Sequence, residues 1–172
     1  MATEEFGYEI KNRVANSKLK TFDLETLYPK EPTFQLDIKD WLLEELVLKE
    51  NKFREHAKAH DWSKYKDANL CLHCSSEAII PAWAYMLLTT YASEFTKLTI
   101  VGTLDTLNTL LFNEAISNLD VSSYKDAPVI VKGCSNKPVP QNAYVLLIQK
   151  LQPVVKSLMF GEACSSVPLY KK

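Results

Sequence analysis

The chain has 172 residues, 47% of them apolar and 24% charged, and its twenty Lys and Arg against twenty-one Asp and Glu leave a net charge of −1. That length suits one domain, residues 1–172, and a balanced charge with only two arginines, Arg13 and Arg54, excludes a surface that must neutralise many phosphates, so nucleic acid is no expected partner. Four glycines in the whole chain exclude the glycine-rich loops that let backbone approach a pyrophosphate.

The N-terminus, Met-Ala-Thr-Glu-Glu-Phe-Gly, has no basic start followed by an apolar run, which predicts no export signal and a cytoplasmic protein. Periodicity predicts a helix over Glu4 to Ala15, an extended piece near Leu19 to Leu24, a loop marked by Pro29 and Pro32, and a helix over Asp37 to Glu45 carrying Trp41. Residues 1–45 read as an N-terminal cap, too short to bury a core of their own. Leu46 to Lys49 reads as a strand and Lys52 to His60 as a short amphipathic helix. Asn69 to His73 is a strand, followed by a Cys-Ser turn and an apolar helix from Pro81 to Phe95. The proline fits the first helical turn, and the lack of a polar stripe predicts cover on nearly all sides, by the sheet and cap or by a second chain. This helix is also too short, and too interrupted by Pro81, to cross a membrane. Lys97 to Gly102 is a second strand and Leu104 to Leu119 an amphipathic helix. Then Pro128 to Lys132 (strand), Pro140 to Val155 (helix) and Lys156 to Gly161 (strand) repeat the order.

The recurrence is also one of residues. Tyr65-Lys66-Asp67-Ala68 returns as Tyr124-Lys125-Asp126-Ala127, an ungapped offset of 59 that also pairs Phe53 with Phe112, Pro81 with Pro140, Tyr85 with Tyr144 and Gly102 with Gly161. Positions 53 to 102 carry sixteen such identities, where composition alone gives about three. The expected fold is therefore α/β: a mostly parallel sheet of about five strands with helices on both faces, built from a duplicated strand–helix–strand unit, the first repeat at 46–102 and the second repeat and tail at 103–172. Asp67 and Asp126, just before the paired strands, are expected as turn residues.

Ligands in open parallel sheets gather beyond the carboxyl ends of strands, where Cys74 and Cys134 stand after the first strand of each repeat and Cys164 after the last. All three open a similar phrase, Cys74-Ser75-Ser76, Cys134-Ser135-Asn136 and Cys164-Ser165-Ser166, each running on to an aliphatic residue and proline. If the three sulphurs converge, they suit zinc or an iron–sulphur cluster, with His73 as a fourth ligand. Cysteine also packs as a small apolar group and serine caps helices, so a repeated turn explains the phrases without chemistry. Cys71 stands opposite Ile130 at the offset and reads as core; His56 and His60 read as a solvated helix face more than as half a metal site.

Several phrases resemble domain-of-unknown-function family 2480, a bacterial family: Asn12-Arg13-Val14-Ala15-Asn16-Ser17, Phe22-Asp23-Leu24-Glu25, Asp37-Ile38-Lys39-Asp40-Trp41-Leu42, His60-Asp61-Trp62-Ser63, Pro81-Ala82-Trp83-Ala84-Tyr85-Met86, Lys132-Gly133-Cys134-Ser135 and Met159-Phe160-Gly161-Glu162. The resemblance spans nearly the whole chain, implies that the three Cys-Ser turns are shared with the family, and implies no reaction. Three functional readings stand: a non-enzymatic accessory protein binding a metal or iron–sulphur cluster through Cys74, Cys134 and Cys164; a structural or interaction module, with a protein partner or as a homodimer, whose cysteines are filler; and thiol or persulfide chemistry, for which no base repeats beside the cysteines.

Overall fold

The computed structural model of the protein describes residues 18–133, 136–162 and 165–172. In chain order the regular elements are β1 (Lys20–Phe22), β2 (Thr33–Asp37), α1 (Glu50–Ala59), β3 (Asn69–His73), α2 (Ala82–Ala92), β4 (Leu98–Val101), α3 (Leu104–Ser117), β5 (Pro128–Val131), α4 (Gln141–Leu151), β6 (Ser157–Glu162) and β7 (Ser165–Lys171). They divide into two compact units, one of Tyr28–Ala115 and one of the residues up to Leu27 together with Ile116–Lys172.

The Tyr28–Ala115 unit is built on a three-stranded, wholly parallel sheet of order β2-β3-β4. β3 is central because its run Asn-Leu-Cys-Leu-His has no polar alternation: the first four of its residues are buried, as a strand flanked on both sides requires. Around Leu70 and Leu72 pack Leu36 and Ile38, Phe53 and Ala57 of α1, and Ala84, Leu88 and Ala92 of α2, which recur at helical spacing.

The other unit holds a four-stranded sheet of order β1-β5-β6-β7 in which the last pairing is antiparallel. Val129, Ile130 and Val131 of β5 are again buried, with Ala143, Leu147 and Leu151 of α4 and Leu158 of β6. Pro81 (φ −68°) and Pro140 (φ −60°) each occupy the position just before the first helical residue, where a missing N–H costs nothing. Element starts stand 59 positions apart for β3 and β5, α2 and α4, and β4 and β6. The left-handed residues Asp67 (φ 58°) and Asp126 (φ 53°), and the glycines Gly102 (φ 146°) and Gly161 (φ 118°), fall at the same spacing. Both aspartates are exposed in turns, as expected.

Several expectations are corrected. In place of one sheet of about five strands the described residues form two, of three and four strands, because each central strand takes a neighbour from the N-terminal segment: Phe22 pairs with Val131 and Leu36 with Leu72. That segment, expected as a cap, thus contributes β1 and β2. The helix expected over Asp37 to Glu45 is a short 3-10 turn at Lys39–Trp41, since Asp37 ends a strand and its carboxylate holds the N–H of Lys39. Leu46 to Lys49 is no strand; a single bridge joins Leu43 to Val47 around the turn Glu44-Glu45. The tail after Cys164 is β7, an outer strand that tolerates Pro168. Met86 of α2 is 68% exposed, so the described residues do not cover that helix on all sides. The helix expected over Glu4 to Ala15 lies outside the described residues.

Candidate functional site

At the carboxyl edge of β2-β3-β4 the final rung sets Asp37 beside His73, and Cys74 follows at once. The side chain of Asp37 reaches across to the loop after β3. Its Oδ1 accepts the N–H of Lys39 at 3.0 Å and of Ser75 at 3.1 Å, and its Oδ2 accepts the Ser75 hydroxyl at 2.5 Å. Burial pushes this carboxyl upward, but the Ser75 hydroxyl, the two N–H groups and the charge of His73 outweigh it and hold Asp37 below the usual carboxylate range. The loop carrying Cys74 is therefore pinned to the neighbouring strand by a charge-assisted cluster.

Cys74 is half-buried and forms no disulfide. Its Sγ lies 3.1 Å from Ser76 Oγ, at hydrogen-bond distance, while Ser76 Oγ also accepts the N–H of Ala78 at 3.4 Å. The phenol of Tyr85 on α2 is pushed up by burial and then by negative charge at Cys74 and at Asp37, which places all three groups in one electrostatic neighbourhood. Cys71 is fully buried, its thiol donates to Thr103 O at 3.5 Å, and burial raises its pKa, so it packs as core, as expected.

The corresponding edge of the other unit is pinned differently. Asp23, after β1, accepts the N–H of Glu25 at 2.9 Å and the Lys132 ammonium at 2.9 Å; the Lys132 contact holds Asp23 below its ordinary range and lifts Lys132. The loop after β5 is gripped by Glu25, whose carboxylate accepts the N–H groups of Asn136 and Lys137. Two glycines let the loop and the β6–β7 hairpin approach. A Cβ on Gly133 would stand 3.1 Å from Gly161 Cα, and one on Gly161 would stand 2.6 Å from Ser165 O. Cys134 and Cys164 themselves lie outside the described residues. At the offset of 59, Cys134 stands opposite Ser75 and Gly133 opposite Cys74, so the two Cys-Ser phrases are one residue out of step.

Of the expected ligands, Cys74 and His73 are thus neighbours at one strand end. Among the described residues no three His, Cys, Asp or Glu are grouped so as to hold a metal ion. His56 and His60 are each engaged by aromatic side chains. Trp41 stacks on His56 with ring centroids 5.9 Å apart, while His60 is half-buried with its Nε2 3.0 Å from the Tyr65 hydroxyl. Sequence reasoning missed Asp37 and Ser75, whose partnership spans 38 residues. One signal was available: Phe22-Asp23 and Leu36-Asp37 put an aspartate after an apolar residue at the end of each strand.

No helix among the described residues is long and apolar enough to cross a membrane. No curated protein and no solved structure matches the chain. A family model described as protein of unknown function (DUF2480) matches residues 8–172, nearly the whole chain, and the chain belongs to that family.

Proposed function

We propose that the protein is a non-enzymatic, cysteine-dependent accessory protein of the cytoplasm that binds a metal or iron–sulphur cluster, with Cys74, Cys134 and Cys164 as thiolate ligands and His73 as a further donor. The observation that supports this best is the situation of Cys74: half-buried, without a disulfide, immediately beyond a parallel strand, on a loop held by Asp37. The Ser76 hydroxyl stands at hydrogen-bond distance, 3.1 Å, from Cys74 Sγ. It cannot take the proton of the thiol as a histidine or carboxylate would. The thiols without a disulfide at Cys71 and Cys74 suit a reducing compartment.

We also infer that the two strand–helix–strand segments descend from one duplicated unit with helices on the faces of its sheet. The common spacing of strand starts, helix starts, left-handed aspartates and glycines supports this.

The test is anaerobic reconstitution with iron and sulphide, and zinc titration, comparing wild type with Cys74→Ser, Cys134→Ser and Cys164→Ser. A ligand role predicts lower metal content in each variant; equal content in all four proteins would overturn it. A second reading, a structural or protein-interaction module with cysteines as filler, is favoured by the full burial of Cys71 and by the absence of a three-donor group among the described residues.

A further inference from the structure

A groove of about 610 Å³ with aliphatic and acidic walls lies between the turn after Leu43 and the loop that follows Cys74. Its walls include Leu46, Val47, Ile79 and Trp83, and the charged side chains lining it among the described residues are Glu50 and Glu77. Ile79 is 93% exposed, Leu46 57% and Val47 53%, an unusual concentration of open aliphatic surface around one concavity. The wall formed by Leu46 and Val47 is held at a conformational cost. Leu43 to Leu46 is a tight turn whose two central residues, Glu44 (φ 51°) and Glu45 (φ 59°), both stand in the left-handed region, where glycine or asparagine is ordinarily found.

Charge selects the occupant. Glu50 is paired with Arg54, whose guanidinium also lies 5.5 Å from the Trp83 ring centroid. Glu44, Glu45 and Glu77 have no ion pair among the described residues, so three unneutralised carboxylates flank the aliphatic walls. A second copy docking by the same face would set acid against acid under twofold symmetry, and an anionic lipid surface would be repelled. We propose that this groove binds a basic amphipathic helix of a protein partner, its apolar anchors seated on Leu46, Val47, Ile79 and Trp83 and its Lys and Arg facing Glu44, Glu45 and Glu77. The site uses no thiol and stands whether or not the cysteines carry a metal.

The experiment titrates the full chain into a fluorescent helical peptide of about 18 residues with leucines at helical spacing and lysines elsewhere, beside a glutamate counterpart and phosphatidylglycerol vesicles. The lysine peptide should bind, more weakly as salt rises, and the glutamate peptide and vesicles should not. Ile79→Asp and the pair Glu45→Lys, Glu77→Lys should each weaken binding about tenfold or more, with unfolding midpoints unchanged because all three side chains are at the surface. Cys74→Ser, which probes the metal reading, should leave peptide affinity within about twofold. Equal binding of the two peptides, indifference to Ile79→Asp, capture by the vesicles, or a dimer in sedimentation that Ile79→Asp disperses would each overturn the proposal.

Discussion

Replacing Asp37 with alanine removes three hydrogen bonds at once, from Lys39 N, Ser75 N and Ser75 Oγ, and frees the loop that carries Cys74. Hydrogen bonds to a charged acceptor contribute about 1.5 to 3 kcal/mol each, but these share one half-buried carboxylate and do not add, so the expected cost is ~2 to 4 kcal/mol. Ser75→Ala removes only the hydroxyl contact and should cost ~1 kcal/mol. All three tryptophans, Trp41, Trp62 and Trp83, belong to the Tyr28–Ala115 unit, so urea unfolding followed by tryptophan fluorescence reads this unit. Asp37→Ala should also make Cys74 react faster with a disulfide reagent. The folded-state pKa of Asp37 is lowered, so its contribution is complete above the ordinary 3.8 and fades as pH falls through the folded value. The gap between wild type and Asp37→Ala should therefore close on acidification below about pH 4. A cost under about 0.5 kcal/mol at neutral pH, or a gap that does not change with acid, would refute the reasoning.

Gly161→Ala should destabilise by ~3 kcal/mol or more, because a left-handed φ of 118° is joined by a backbone oxygen 2.6 Å from the new Cβ. Gly102→Ala meets only the Thr106 side chain at 3.1 Å and should cost less; circular dichroism melts of the two variants compare them. Burial, with a smaller contribution from Lys64 opposed by Asp61, lowers the pKa of His60. The stability it confers as neutral imidazole is complete above the ordinary 6.5 and is lost as pH falls from there through the folded value. Urea midpoints should drop between pH 7.5 and 5.5 in wild type and change less in His60→Gln, and equal drops would count against this assignment.

What the sequence discloses is local. The central strands are continuous apolar runs, and helix starts are fixed by Pro81 and Pro140, so β3, β5, α2 and α4 are legible from pattern alone. β1 falls within the extended piece expected near Leu19 to Leu24, but β2 is not legible, because Thr33–Asp37 is exposed over its first three residues and does not display the alternation of a half-buried strand. One sheet was expected in place of two because register between distant segments leaves no trace in periodicity. The same limit hides the Asp37–Ser75 cluster, whose members are unremarkable singly. Cys71 was legible as core through its counterpart Ile130, and His60 was misread because Trp41 and Tyr65, which enclose it, come from other turns of chain.

The pairing of β1 with β5 has a consequence for the order in which the chain folds. Asp23, at the end of β1, meets Lys132 across 109 residues, whereas Asp37 meets Ser75 across 38. As the chain leaves the ribosome, β2, β3 and β4 all emerge before any residue of β5, and their shorter closures cost less entropy. β1 emerges earlier than all of them and has to wait, its edge unpaired, while the Tyr28–Ala115 unit is completed inside the interval that separates it from its partner. Folding therefore nests, with the inner unit consolidating as synthesis proceeds and the outer one closing only once the C-terminal third is free, which makes the outer sheet the slow step and β1 the strand most exposed to mispairing.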